Sequence, residues 1–195
     1  MLAGRIVISE ILRFFEIAGK LKETKRLGWI TQVKVEHPES VADHTFRCIL
    51  MAMILEDFNE IDKCRLMQML LLHDLQEAIT GDFDAIAKQK LGIRQLELRQ
   101  EKAIQDIIKL LPESHREELL DLWNDFHQKE SPESRIAYDI DKLEMIIQAL
   151  EYEKKGYSSS SLDTFWKSVQ GDIKTKIGMK WFTILFQERN KLNNY

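Results

Sequence analysis

Helix breakers are scarce in this chain. Its 195 residues include three prolines and eight glycines, so long helices meet few interruptions. Cysteine is scarcer still. Cys48 and Cys64 stand far apart, each in an apolar helical context. They read as two buried thiols in a reducing compartment, in preference to a disulfide or a thiolate metal site. Long apolar runs are also missing: the longest, residues 48–55 and 69–72, fall well short of a bilayer span. Residues 1–8 lack the apolar segment of a signal peptide, and a cytoplasmic protein with no membrane partner is expected. A basic excess is absent as well. The net charge of -4 argues against a nucleic-acid partner but leaves room for one anionic small molecule held by local cations. With 44% hydrophobic residues the chain can bury a full core, wholesale disorder is excluded, and a single domain over residues 1–195 is expected.

What is present is helical periodicity. Ile11, Leu12, Phe15, Ala18 and Leu21 form a stripe over residues 9–21, with Ser9 as its N-cap. Pro38 and Ser40 introduce a helix to about residue 57 that turns Val41, Ile49, Met53 and Ile54 to the core. A third helix covers about 61–80 and stops at Gly81. Another spans about 94–110, and beyond Pro112 one carries Leu119, Leu120, Trp123 and Phe126. Ser131-Pro132 opens a long helix that ends near Gly156. Serines 158–161 read as a short loop, and the helical region from Leu162 onward is expected to break near Gly171 and Gly178. No stretch alternates like a strand and none repeats, so the fold class is all-α.

The chemistry gathers in Leu70-Leu-Leu-His73-Asp74-Leu-Gln-Glu77-Ala-Ile-Thr-Gly81-Asp82. An apolar run carries ionisable groups inward, which is costly unless they are paired or hold a cation. Of five histidines, His115 and His127 sit among charges on a polar helix and His37 lies in a loop before Pro38. His44, in the first turns of a helix that continues apolar, is the best partner for His73-Asp74. Imidazole and carboxylate donors suit Mn²⁺, Fe²⁺, Co²⁺, Mg²⁺ or Zn²⁺. A fourth ligand should come from Tyr138-Asp139-Ile-Asp141-Lys-Leu-Glu144-Met145. Periodicity alone prefers Asp139 slightly, because it lies nearer the centre of the stripe Ile136, Ile140, Leu143, Ile147, Leu150.

An isolated His, a distant His-Asp pair and a later Asp on a helical chain resemble the HD-domain metal-dependent phosphohydrolases. Arg26-Leu-Gly-Trp29, Pro38-Glu-Ser-Val-Ala-Asp-His44, His73-Asp-x-x-Glu77, Gly81-Asp82 and Asp141-x-x-Glu-Met-Ile-x-Gln-Ala-x-Glu-Tyr-Glu153 are similar to the small single-domain 5′-deoxynucleotidases. The resemblance implies an HD-type helical bundle with its metal-site core at about 40–155. It implies His44, His73, Asp74 and Asp141 as metal ligands, Glu77 and Asp82 as catalytic carboxylates with a second cation as an open further role, and Arg26 and Trp29 as contacts to substrate phosphate and sugar. Arg47, one turn beyond His44, is a further candidate for phosphate. The implied reaction is hydrolysis of deoxyribonucleoside 5′-monophosphates by metal-activated water. The resemblance also implies a homodimer, with residues 166–186 as the candidate surface. Two alternatives stay open: an HD phosphohydrolase acting on another nucleotide or phosphate monoester, and a nucleotide-sensing module that binds metal without turnover.

Overall fold

A computed structural model describes residues 2–54 and 61–193, with side chains from residue 8 to 192. Its described helices are α1 (Leu2–Gly19), α2 (Val41–Ile54), α3 (Lys63–Leu72), α4 (Glu77–Thr80), α5 (Ala85–Leu91), α6 (Ile93–Ile108), α7 (Glu113–Gln128), α8 (Pro132–Lys154), α9 (Ser159–Asp172) and α10 (Lys176–Asn193). Among the described residues the only strand-like feature is an isolated antiparallel bridge between Lys25 and Ser40. The fold is all-α, and among the described residues no helix is long and apolar enough to cross a membrane. The expected last turn of the second helix, residues 55–57, lies outside the described residues.

Everything is arranged around α8. Ser131 accepts the N–H of Ser134 at 3.0 Å and Pro132 occupies the first turn, so this start is fixed by local chemistry alone. The helix is buried on nearly every face and packs against α2, α3, α7, α9 and α10. One apolar cluster, including Cys48, Leu66, Leu70, Ile107, Trp123 and Ile140, joins its first half to α2, α3, α6 and α7. A second cluster, including Trp29, Leu143, Ile146, Leu162, Trp166 and Phe182, joins its second half to α9 and α10. Asp141 and Glu144 fall where one cluster gives way to the other.

Several expectations fail for identifiable reasons. The helix expected over 61–80 breaks after Leu72 into a turn and the short α4. His73 Nδ1 takes the Leu70 carbonyl at 2.7 Å, the acceptor that the Asp74 N–H would use in a continuing helix, and i→i+3 bonds follow. Serines 159–161 form the first turn of α9, and the break before α10 falls at 173–175, with Gly178 inside α10. The helix from Leu2 runs through Ser9, which is therefore no cap. Leu12, Phe15, Met53 and Ile54 are exposed; Ala18 and Leu21 of the expected stripe do meet the core, joined there by Phe14 and Ile17. Cys48 is buried, but Cys64, in the first turn of α3, is exposed. The helix α5 has no counterpart in the sequence reading; it buries no side chain, so no periodic pattern announces it.

Gly178 marks a close approach. A Cβ there would fall within 2.8 Å of Ile173 Cγ2 and closer still to the Asp139 carboxylate. Gly178→Ala should therefore cost about 1–3 kcal/mol through overpacking. A thermal melt is expected to show a Tm lower by about 2–4 °C per kcal/mol; an unchanged Tm would show that α10 shifts at no cost.

Candidate metal centre

The turn that ends α3 sets the first histidine. A carbonyl oxygen can only accept, so the His73–Leu70 bond places the proton on Nδ1 and turns the Nε2 lone pair inward. His44, in the first turn of α2, is treated the same way. Its Nδ1 hydrogen-bonds Oε2 of Glu144, a carboxylate on α8 that is fully buried. Arg47 holds the other side of that carboxylate with Nε at 2.7 Å from Oε1. The same guanidinium reaches Gln148 Oε1 at 2.6 Å and Glu151 Oε1 at 2.8 Å. Arg47 is thus occupied behind His44 and is no phosphate clamp, which corrects the expectation made from its spacing.

The inward nitrogens meet carboxylates. His44 Nε2 lies 3.3 Å from His73 Nε2 and 3.2 Å from Asp141 Oδ1. Asp74 Oδ2 is 3.2 Å from His73 Nε2 and 4.0 Å from His44 Nε2. Donor atoms of His44, His73 and Asp141 all lie within 4.8 Å of one another. Two imidazole lone pairs and two carboxylates facing one point repel unless positive charge sits among them, so the donor set fits a divalent cation. The titration of these groups says the same. Burial and the Arg26 charge oppose charge on His44, yet Cys48, Glu144 and Asp141 hold its pKa well above the ordinary imidazole value, so that without a cation the ring is driven to take up a proton in its place. Burial would raise Asp141, but Lys142 and His44 hold it well below the carboxylate range. Asp74 is likewise held low against burial by His73 and Arg26.

Asp139, which periodicity prefers, faces elsewhere. Its carboxylate accepts the N–H of Lys174 at 3.2 Å and of Thr175 at 2.8 Å, tying down the link between α9 and α10.

Beside the cluster lies a cleft of about 450 Å³ whose walls include Arg26, Trp29, Glu77, Asp82, Lys142 and Phe165. Arg26 is brought there by the bridge to the start of α2, where its N–H donates to the Glu39 carbonyl at 3.2 Å. Its Nη1 stands 3.2 Å from Asp74 Oδ2. Glu77 is 6% exposed, and its Oε2 has no hydrogen-bond partner among the described residues. Burial, with the charges of Asp74 and Asp82, pushes its carboxyl well above the ordinary range. Asp82 Oδ2 accepts the Leu27 N–H at 2.5 Å, which fixes the backbone next to Arg26. Trp29 is only 1% exposed, stacks on Phe165 at 4.3 Å and donates its indole N–H to Glu39 Oε1 at 2.8 Å.

Three contributors, Glu144, Lys142 and Glu39, lie within the sequence motifs but have no role that the motifs alone assign. The signal for Glu144 is its position one turn after Asp141 on a helix with few other charges facing inward. Lys142 Nζ pairs with Asp141 Oδ2 at 2.9 Å. No sequence pattern announces Glu39, whose partners come from the distant Trp29 and Tyr152.

Residues 18–181 match the family model described as HD domain. The chain is 36% identical over 184 residues to the 5′-deoxynucleotidase HDDC2 of Xenopus laevis, covering 92% of this chain and 88% of that one. It is 40% identical over 177 residues to the 5′-deoxynucleotidase HDDC2 of Dictyostelium discoideum, covering 84% of this chain and 90% of that one. Among solved structures, a conserved hypothetical protein from Pyrococcus furiosus superposes with a TM-score of 0.75 at 30% identity, covering 92% of this chain and 99% of that one.

Glu39 carries a pH dependence. Burial and the charge of Glu144 push its carboxyl up to about 7. Between the ordinary Glu value and about 7 the folded state holds a proton that the unfolded chain has lost, so stability falls as pH rises through that window. Urea unfolding from pH 5 to 8 should show the wild type losing on the order of 2–3 kcal/mol relative to Glu39→Gln. Parallel pH profiles for the two proteins would refute this.

Proposed function

The chain belongs to the HD domain family, and from that premise we propose that it is a 5′-deoxynucleotidase. It hydrolyses deoxyribonucleoside 5′-monophosphates to deoxynucleoside and phosphate. The observation that carries this reading is the convergence of His44, His73, Asp74 and Asp141 beside a buried carboxyl, Glu77, that opens on the same cleft. Relatives that carry the name 5′-deoxynucleotidase along most of their length support it.

His44 Nε2, His73 Nε2, Asp74 and Asp141 would hold the cation, which is Mn²⁺, Co²⁺, Mg²⁺, Fe²⁺ or Zn²⁺ by donor type. Such an ion supplies a water acidified from pKa 15.7 toward about 7 and screens the phosphate charge. The chain does the rest. Arg26 presents a planar fork to the phosphate oxygens, and its pairing with Asp74 fixes the direction of that fork. Phosphoryl transfer needs this positioning more than covalent help. Glu77, kept protonated by burial and by its anionic neighbours, gives its proton to the leaving 5′-oxygen. Asp82 acts on the same reaction by locking Leu27 and so the segment that carries Arg26. Trp29, seated on Phe165, forms the wall against which the deoxyribose rests. An apolar wall gives a 2′-hydroxyl no partner and so disfavours ribonucleotides.

Phosphate release should be screened across ribo- and deoxynucleoside 5′-monophosphates with each divalent ion in turn. Deoxy substrates are expected to lead. Asp141→Ala should abolish release and lower bound metal, while Asp139→Ala should keep its metal. Glu77→Gln should retain metal yet lose about 10²–10⁴ in turnover. Release from other phosphate esters alone would redirect the substrate, and no release under any condition would favour a sensing module.

The free thiols Cys48 and Cys64 fit a reducing, cytoplasmic setting, which is part of the same proposal. So is a homodimer; within residues 166–186 Met179, Ile184 and Phe186 are exposed but Trp166 and Phe182 are buried in this chain's own core, and we place the contact on a more exposed apolar face. The outer face of α2 exposes Phe46 (69%), Leu50 (40%), Met53 (59%) and Ile54 (65%) at i, i+4, i+7 and i+8, one contiguous stripe. Sedimentation equilibrium should give a dimer for the wild type and a monomer for Phe46→Glu/Met53→Glu. A wild-type monomer at micromolar concentration would remove the dimer.

A further inference from the structure

Three cations line the cleft, and two are committed within the protein. Arg26 Nη1 is 3.2 Å from Asp74 Oδ2. Lys142 Nζ is 2.9 Å from Asp141 Oδ2 and lies over the Tyr138 ring, 4.8 Å from its centroid. The third is Lys88, on α5, whose ammonium makes no hydrogen bond or ion pair with any described residue while lining the same cleft.

Packing does not explain why Lys88 stands there. No side chain of α5 is buried. The helix is set in place from its ends: Asp84 caps it through the Ala87 N–H at 2.7 Å, and Gly81 and Gly92 turn the chain on either side with φ of 71° and 80°. Just before the cap, Asp82 ties the segment to Leu27, next to Arg26. One end of the Lys88 helix and the Arg26 loop are therefore fastened together, and the charge of Lys88 is felt at Glu77.

The charge balance of the cleft gives this placement a consequence. Six acidic side chains line it, Asp74, Glu77, Asp82, Asp84, Asp141 and Asp172, against the three cations; with Glu77 protonated and a divalent ion held by the ligand set, the opposing charges only balance. A phosphate monoester brings up to two further negative charges. With Arg26 and Lys142 each facing a carboxylate and the ion's charge met by its own ligands, a dianion gains most from a cation that no carboxylate has taken up.

We propose that Lys88 is a substrate-binding residue whose ammonium group takes a non-bridging oxygen of the substrate phosphate alongside Arg26. This rests on the reading of the site as a 5′-deoxynucleotidase. Lysine suits such a contact because a flexible stem carries a compact charge with three donors, which can follow the phosphate into place and release it afterwards.

The test compares wild type, Lys88→Ala and Lys88→Arg, each loaded with the same divalent ion. Lys88→Ala should raise KM for a deoxynucleoside 5′-monophosphate about five-fold, the upper range for an exposed ion pair. Its kcat should stay within about two-fold and its bound metal unchanged, and Lys88→Arg should restore KM. Raising sodium chloride should lift the wild-type KM more steeply than that of Lys88→Ala. Calorimetry with inorganic phosphate should show the same loss of affinity without any turnover. An unchanged KM and phosphate affinity would overturn the proposal, as would a fall in kcat at constant KM, which would mean that Lys88 acts on Glu77 alone. Should the wild type bind phosphate but hydrolyse no nucleotide, the deoxynucleotidase reading fails and the phosphate comparison alone decides Lys88. Absence of phosphate binding by the wild type would overturn it outright.

Discussion

The hydrogen bond from His44 Nδ1 to the Glu144 carboxylate is the constraint on which the site depends. It decides which imidazole nitrogen carries the proton and so turns the other toward His73 and Asp141. Glu144 and Asp141 stand one turn apart on α8 and hold the same ring from its two nitrogens. A buried carboxylate needs compensation, and Arg47 supplies it from the helix that carries His44. The packing of α2 against α8 is therefore both part of the first apolar cluster and the alignment of a ligand. Neither function can be altered without the other.

How much of this could be read from the residues depends on where each helix sits. The class of the fold, the start of α8 at Ser131-Pro132 and the pairing of His44 with His73-Asp74 in space all follow from local chemistry and spacing. The choice between Asp139 and Asp141 does not, and α8 shows why. A helix buried around its circumference has no outer face for periodicity to find. Both aspartates are buried, one accepting backbone N–H groups from the start of α10, the other meeting His44. The short motif beginning at Asp141 separates them where the helical wheel cannot. At Met53 and Ile54 the opposite error arises: apolar residues at the right period are exposed, because the rule that interiors are apolar does not run in reverse.

The break after Leu72 has a different origin. Nothing in Leu70-Leu71-Leu72-His73-Asp74-Leu75 would stop a helix by propensity. The helix yields because His73 uses the backbone as a hydrogen-bond partner for Nδ1, and the tighter turn that results carries Asp74 and Glu77 toward the cleft. Function and backbone are coupled through one carbonyl oxygen. A side chain that competes for a helical acceptor leaves no trace in composition, so such a break becomes legible only once the histidine is known to be a candidate ligand.

Glu77 bears on whether the site turns over or merely binds. Its Oε2 is buried without a partner among the described residues, and an unsatisfied group of this kind costs about 1–3 kcal/mol. Its carboxyl is also surrounded by like charge from Asp74 and Asp82. A module that only held a cation and a nucleotide would gain stability by replacing this side chain with an apolar one of similar size. The ligand cluster would survive, because His44, His73, Asp74 and Asp141 find their geometry in Glu144, the Leu70 carbonyl, Arg26 and Lys142. None of those supports runs through Glu77. A destabilising carboxyl that none of the ligand supports needs, placed on the wall of the cleft with its pKa pushed up, fits the proton transfer proposed for it. That is the difference between a binding site and an active one.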